Sequence, residues 1–309
     1  MITYSVIIPH KNSQDTLAYC LSTIPVREDV QVIVVDDNSD ADKVDFDNFP
    51  QWDGANYECY LTKEGKGAGY ARNVGLDHAN GKWVLFVDAD DYLLPTIGRI
   101  FDEEVSNEAD VIYYRMKAVM LEDRTTPSGR GEYYNVIIDE YLATGNERRL
   151  RTQFYSPTCK IVKMSLIREH RIRFDEIRYS NDNHYSAQVG CYAKRIAVRD
   201  EAFYVATQSG NSLTSNFGQK EGERVIRADA LLRTCEVVTQ SGYEVDFKSI
   251  SIVISPFLFS DRKRYRYYFR SLMKMGYSKR YLTQHIFSSP KWKARTWRRL
   301  YSYLMTSFV

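Results

Sequence analysis

No part of the 309-residue sequence is apolar over the roughly 20 residues that a bilayer-spanning helix needs, and the longest candidates, around Trp83–Val87 and Ile250–Ile254, are far shorter. A spanning helix is therefore not expected. The N-terminus, Met1 to Pro9, has no basic segment, and its apolar run stops at a proline, so it does not read as a signal peptide. The chain is expected in the cytoplasm. The five cysteines, Cys20, Cys59, Cys159, Cys191 and Cys235, show no CxxC spacing, which argues against a disulfide framework or a zinc site and predicts reduced, mostly buried thiols. Acids are missing from one region: from Asp261 onward thirteen Lys or Arg face a single Asp, although the whole chain carries a formal charge of only +2.

The remainder is ordinary for a folded protein, with 44% hydrophobic and 27% charged residues and an unusually large complement of 24 Tyr. Tyr4–Ile8, Gln31–Val35, Tyr57–Leu61, Lys82–Val87 and Asp110–Tyr114 are short β-branched or aromatic runs separated by stretches of helical length. Asn12 or Ser13 is placed to cap a helix with apolar Leu17, Leu21 and Ile24 that Pro25 ends, while Ala68, Ala71, Gly75 and Ala79 form a small-residue face suited to packing on a sheet. The alternation predicts an α/β fold: a mostly parallel, doubly wound sheet with helices on both faces. After a polar loop from Leu121 to Gly131, a strand at Cys159–Val162 and a helix at Ser165–His170 continue the unit to about Asn216. Helices are expected at Val225–Val238 and Tyr243–Ser255, the second ended by Pro256. The spacing places one domain at 1–218 and a helical, basic, aromatic extension at 219–309.

In such a sheet ligands gather at the carboxyl ends of the strands. Two acidic clusters fall there, Asp36-Asp37-Asn38-Ser39 after the second strand and Asp88-Ala89-Asp90-Asp91 after the fourth. Carboxylates crowded at a strand end suit Mg²⁺ or Mn²⁺, which bridges to a diphosphate and neutralises charge on a departing nucleotide. A chance D-x-D on a solvated turn is the plain alternative. Arg72 suits phosphate oxygens equally with a helix-surface ion pair.

Four motifs occur in order within the first 92 residues: Ser5-Val6-Ile7-Ile8-Pro9, Val34-Val35-Asp36-Asp37-Asn38-Ser39, Gly67-Ala68-Gly69-Tyr70-Ala71-Arg72-Asn73-Val74-Gly75 and Phe86-Val87-Asp88-Ala89-Asp90-Asp91-Tyr92. The series resembles glycosyltransferase family 2, inverting enzymes with the GT-A fold. The likeness continues more weakly through Lys160-Ile161-Val162-Lys163, Leu166 to His170, Phe174-Asp175-Glu176 and Asn181-Asp182, covering about residues 3 to 215. It implies that Pro9 lines the nucleotide, Asp37 holds the base, Asp88 touches the ribose and Asp90 is the metal ligand. It makes Asp182 the base that deprotonates the acceptor hydroxyl, with Asn181 standing where relatives usually carry Glu. A helix from about His184 to Gly190 would put its positive end near Asp182 and help keep it ionised, unless Asp182 is merely an N-cap. His184 reads as a metal or acceptor contact or as a packing residue. Asn211-Ser212-Leu213-Thr214 resembles the family's mobile stretch over the donor, without the arginine that often precedes it, so that Lys220 is a substitute cation.

The resemblance implies a nucleotide-sugar donor, UDP-linked in the first instance, with Mn²⁺ or Mg²⁺, and a glycan or lipid-linked acceptor in surface polysaccharide synthesis. The run Arg262 to Arg270 and the segment Trp292 to Tyr303 interleave cations with rings, a composition that fits an anionic membrane surface at the inner face. No nucleic-acid motif accompanies it, and a solvated helical face is the plain alternative. Gly65-Lys66-Gly67 misses the dinucleotide fingerprint, since Tyr70 occupies the third glycine position and the loop follows the third strand. Gly75 to Gly81-Lys82 misses phosphate-loop spacing by one residue, with Trp83 where Ser or Thr belongs. A phosphoacceptor receiver is opposed by the length and the second acidic cluster. A nucleotidyltransferase and a noncatalytic glycan-binding or scaffold protein remain as rivals.

Overall fold

The computed structural model describes residues 1–209, 221–246, 250–251, 254–255 and 257–286. The chain divides into two compact units, Met1–Phe217 and Gly218–Val309. In the first, the order is β1 (Tyr4–His10), α1 (Gln14–Ser22), β2 (Val30–Asp37), β3 (Tyr57–Thr62), α2 (Ala68–His78), β4 (Trp83–Phe86), β5 (Tyr92–Leu93), α3 (Thr96–Glu104), β6 (Val111–Met120), α4 (Glu132–Thr144), α5 (Arg148–Gln153), β7 (Lys160–Lys163), α6 (Met164–Glu169), α7 (Asn181–Tyr192) and β8 (Ile196–Gln208). They form one sheet in the order β3-β2-β1-β4-β7-β6-β8-β5.

β1 and β2 are buried along their whole lengths, as continuous apolar strands of a parallel interior must be. The polar exceptions are satisfied: the buried Ser5 hydroxyl donates to Gln31 Oε1 (2.7 Å) and accepts from the Gly81 amide (2.9 Å). α2 packs on β1 and β2 through its small residues, with Ala71 and Ala79 buried. At Gly75 a Cβ would stand 2.3 Å from Ile7 Cγ2, so only hydrogen fits at that crossing.

The expected strands are all present, but the sheet is mixed: of seven pairings, four are parallel and three antiparallel. The short β7 runs antiparallel between β4 and β6, joining the parallel half to the rest. β8 has no continuous apolar run, because Arg199-Asp200-Glu201 interrupts it; in the structure that triplet lies where the β6–β8 register shifts. The polar segment after Leu121 is shorter as a loop than the sequence suggests, closing through a Val119–Pro127 bridge and a 3₁₀ turn at Gly129–Gly131. Ser13 occupies the N-cap of α1 without a side-chain cap bond, and Asn12, at φ 56°, spends its amide on Asp40 instead.

In the second unit, α8 (Glu221–Gln240) runs longer than the expected Val225–Val238. It is followed by α9 (Phe257–Ser260), α10 (Arg262–Lys274) and α11 (Lys279–Ile286). Residues 243–246 are not helical; the rest of the expected Tyr243–Ser255 helix lies partly outside the described residues, as does Pro256. α10 buries Tyr265, Tyr268, Phe269 and Leu272 at helical spacing, and Tyr268 donates to Asp229 Oδ1 of α8 (2.9 Å). Its six cations remain exposed.

Candidate active site

The parallel strands β1, β2 and β4 present their carboxyl ends side by side, which brings both acidic clusters to one edge of the sheet. At the end of β1 and β2, His10 and Asp36 are register partners, and His10 Nδ1 lies 2.8 Å from Asp36 Oδ1. His10 Nε2 accepts from the Ser13 amide (3.2 Å), which assigns the ring proton to Nδ1. Burial lowers the His10 pKa against the pull of Asp36, so the ring is neutral. Asp36 also accepts from the Ser39 amide (2.9 Å) and hydroxyl. The first aspartate of the pair is thus spent inside the protein, and the chain turns at Asn38 (φ 58°).

Asp37, 2% exposed, accepts from the amides of Lys66 (3.0 Å) and Gly67 (2.6 Å), while Lys11 Nζ reaches its backbone carbonyl (3.0 Å). It ties down the glycine loop ahead of α2, where Gly67 takes φ +97°. A cavity of about 560 Å³ opens over these residues, lined by Pro9, Lys11, Asp37, Gly67, Arg178 and Asn181. Pro9 and Asp37, linked by the resemblance to a nucleotide, therefore share one concave wall.

Arg72 is no surface ion pair. Its side chain is buried and forks between Asp88 Oδ1 (2.6 Å) and Asn181 Oδ1 (3.0 Å), with its guanidinium 5.2 Å from the Phe174 ring centre. One side chain on α2 thereby joins the end of β4 to the start of α7. Nε is buried without a partner.

Oxygens of Asp88, Asp90 and Asp91 lie within 4.8 Å of one another. Their roles divide by orientation. Asp91 is buried and takes the Tyr204 hydroxyl and the Thr207 amide (2.6 Å), with Arg130 Nη1 3.9 Å away. Burial and the charge of Asp90 raise its pKa, opposed by Arg130. It anchors β8. Asp90 is exposed, yet crowding by protein atoms raises its pKa, with Asp88 adding to the rise and Arg130 and Arg72 opposing it. The resulting donor set, hard carboxylate oxygens from Asp88 and Asp90 in mutual repulsion, fits Mg²⁺ or Mn²⁺. Arg130, Tyr204 and Thr207 were not picked out from the sequence; they reach the cluster only because β8 and the segment before α4 fold over it.

Asp182 is the second residue of α7, whose N-cap is Ser180 at φ 56°, so the helix begins earlier than expected and Asp182 is not its cap. Burial is the largest influence on Asp182 and raises its pKa, outweighing the helix end that was expected to hold it ionised. Asp88 adds to the rise; Arg72 and Lys160 oppose it. Asn181, in the place of the usual Glu, accepts from Arg72. His184 Nδ1 lies 3.3 Å from Asp175 Oδ1, so its ring is engaged with that carboxylate on the same side of α7. Asn211 to Thr214 and Lys220 lie outside the described residues. Three of the five cysteines are buried and all are free.

Residues 5–171 match the model of Glycosyl transferase family 2. The chain belongs to that family. Relatives include the poly(ribitol-phosphate) beta-N-acetylglucosaminyltransferase TarS of Staphylococcus aureus, 29% identical over 235 residues, which are 72% of this chain and 38% of that protein. The poly(ribitol-phosphate) beta-glucosyltransferase of Bacillus spizizenii is 27% identical over 223 residues, 68% of this chain and 33% of its own. The chain thus spans about a third of the length of these relatives. The crystal structure of TarS residues 1–349 with UDP-GlcNAc superposes with a TM-score of 0.54 at 22% identity, covering 83% of this chain and 72% of that one. A mannosyltransferase from Pyrobaculum calidifontis, solved with GDP-Man and Mn²⁺, gives 0.50 at 17% identity over 98% of this chain and 85% of its own. These likenesses show the α/β glycosyltransferase fold.

Proposed function

We propose that this family 2 glycosyltransferase moves a sugar from a UDP-sugar to a hydroxyl of a glycan or lipid-linked acceptor in surface polysaccharide synthesis, inverting the anomeric centre. The observation that carries this reading is one half-buried carboxylate, Asp182, next in the chain to Asn181, which Arg72 joins to Asp88 of the acidic cluster. A base with a raised pKa accepts a proton more readily than an ordinary carboxylate, and a group with that task needs such a shift. The acceptor oxygen bonds to the anomeric carbon and its proton passes to Asp182, while the bond from that carbon to the diphosphate oxygen breaks. Pro9 and Asp37 line the nucleotide cavity, Asp88 faces the ribose and Asp90 holds Mn²⁺ or Mg²⁺. When bound, that ion neutralises charge on the leaving diphosphate. Arg72 keeps Asp88 in place and favours ionised Asp182.

The names of the relatives support a UDP-sugar donor and a surface-polymer acceptor, including a polyol-phosphate chain. The test is calorimetric titration of UDP, GDP and their sugar conjugates with Mn²⁺ and then with EDTA. Binding that needs metal and is lost in Asp90→Ala supports the donor site. Asp182→Asn should abolish transfer and leave metal-dependent UDP binding intact; undiminished transfer removes Asp182 from the mechanism. Release of pyrophosphate in place of UDP would favour a nucleotidyltransferase.

No helix among the described residues is long and apolar enough to cross a membrane. The exposed cations of α10 support docking on anionic lipid at the cytoplasmic face. Liposome flotation that persists unchanged after deletion of the segment beyond Ser260 would exclude it.

A further inference from the structure

Lys160 is 1% exposed, on the short antiparallel strand β7. Its ammonium donates to the Phe154 carbonyl (3.0 Å) and lies 5.4 Å and 5.2 Å from the ring centres of Tyr113 and Phe154. Among the described residues, none of its neighbours is a carboxylate at ion-pair distance. An ammonium buried in this way is costly, and a methionine would fill the same space without that cost. The carbonyl it holds is informative: the next one along, of Tyr155, accepts from Ser186 Oγ (2.7 Å), one turn beyond Asp182 on α7. Just upstream, Arg151 donates to the carbonyls of Gly190 (2.9 Å) and Ala193 (2.6 Å) at the other end of that helix. The 151–155 segment is therefore the ledge on which α7 rests, and Lys160 grips it from the sheet.

We propose that Lys160 is a positioning residue for Asp182, fixing the ledge under α7 while its buried positive charge favours the ionised carboxylate that takes the acceptor's proton. The proposal rests on reading Asp182 as the base. Two further observations agree with it. Asp182 is the strongest of the charges that sustain the Lys160 ammonium, ahead of Cys159, against the burial that brings its pKa down to about 7. Conversely, Lys160 joins Arg72 in lowering the pKa of Asp182, against burial and Asp88; Tyr134, whose ring packs 4.8 Å from that of Phe154, also feels the charge of Asp182.

The test is a carbon NMR titration of the full chain labelled at aspartate carboxyls, in EDTA, with the Asp182 signal identified by its loss in Asp182→Asn. Three variants separate charge from shape: Lys160→Met removes both charge and donor, Lys160→Gln keeps a donor for Phe154, and Lys160→Arg keeps the charge. The Asp182 midpoint should rise in the Met and Gln variants, by less than Arg72→Met moves it, and stay at the wild-type value in the Arg variant. A folded Met or Gln variant with an unmoved midpoint overturns the proposal. So does failure of both neutral variants to fold while Lys160→Arg folds, since the ammonium is then structural only. Full transfer activity in Asp182→Asn would sink the reading of Asp182 as base and leave the titration result standing, so the two failures are told apart.

Discussion

Replacing Arg72 with Met should disturb stability and chemistry in ways that can be read separately. The guanidinium is buried with Asp88 and Asn181 on its two arms, and the Asp88 side chain is 24% exposed. Removal leaves Asn181 Oδ1 without its donor and Asp88 without its cation, but Asp88 can recover part of its hydration. The cost should therefore approach the about 1–3 kcal/mol of an orphaned polar group, below the ~3–5 kcal/mol of a fully buried broken pair. Urea unfolding measures it. The chemical consequence has a definite sign. Asp182 already has a raised pKa, and Arg72 is the largest influence holding it down. Without Arg72 the carboxyl keeps its proton to higher pH, so the acid limb of the rate profile should move up by on the order of one unit. Arg72→Lys, which keeps charge but cannot fork, should recover much of the pH shift and little of the stability. Release of UDP across pH 5 to 9, from whichever UDP-sugar the calorimetric panel selects, is the assay. An unfolding free energy within ~0.5 kcal/mol of wild type together with an unmoved acid limb would refute the role assigned to this side chain.

Substitutions at two other residues probe the polar clamps behind the site. His10 is neutral in the folded protein because burial lowers its pKa, whereas the unfolded chain binds a proton near pH 6.5, so its contribution is present above that pH and is lost as pH falls through the folded value. His10→Asn should cost about 1–3 kcal/mol at pH 7.5 through the buried Asp36 it abandons, and should flatten the fall in stability between pH 7 and 5.5; equal slopes in wild type and variant would exclude titration of His10. Asp91 has the opposite sign, since its pKa is raised and its contribution is greatest below the unfolded value near 3.9. In urea unfolding the difference between Asp91→Asn and wild type should shift toward the variant from pH 4 to pH 8, while Asp91→Ala, which orphans Tyr204 and Thr207, is destabilised throughout; a constant Asn difference would contradict the raised pKa.

The legible part of the fold was the part built from local runs. β1, β2 and β4 are continuous apolar segments that end in acids or at proline, and α2 announces its close packing through Ala71, Gly75 and Ala79. Where the chain relies on partners far away, local pattern loses its force. β7 is four residues long and is held as a strand by β4 and β6. β8 is polar at its middle because a bulge lets Arg199, Asp200 and Glu201 leave the core. The D-x-D cluster could be found by eye, but its division of labour could not: Asp91 binds Tyr204, 113 residues later, while Asp90 stays exposed. The helix of Asp182 begins at Asn181 because Ser180 turns through a left-handed conformation, which no composition rule demands of a serine.

Sequence by itself determined where the apolar strands lie and that two acidic clusters follow the second and fourth of them, because apolar runs and the residues that end them are properties of consecutive positions. Tertiary structure alone decided that Arg72 meets Asn181 across 109 residues of chain, that Lys160 is buried beneath α7, and that Asp182 keeps its proton more tightly than a free carboxyl. Those properties depend on what surrounds a charge once water is excluded, and that surrounding is assembled from segments with no neighbourhood in sequence.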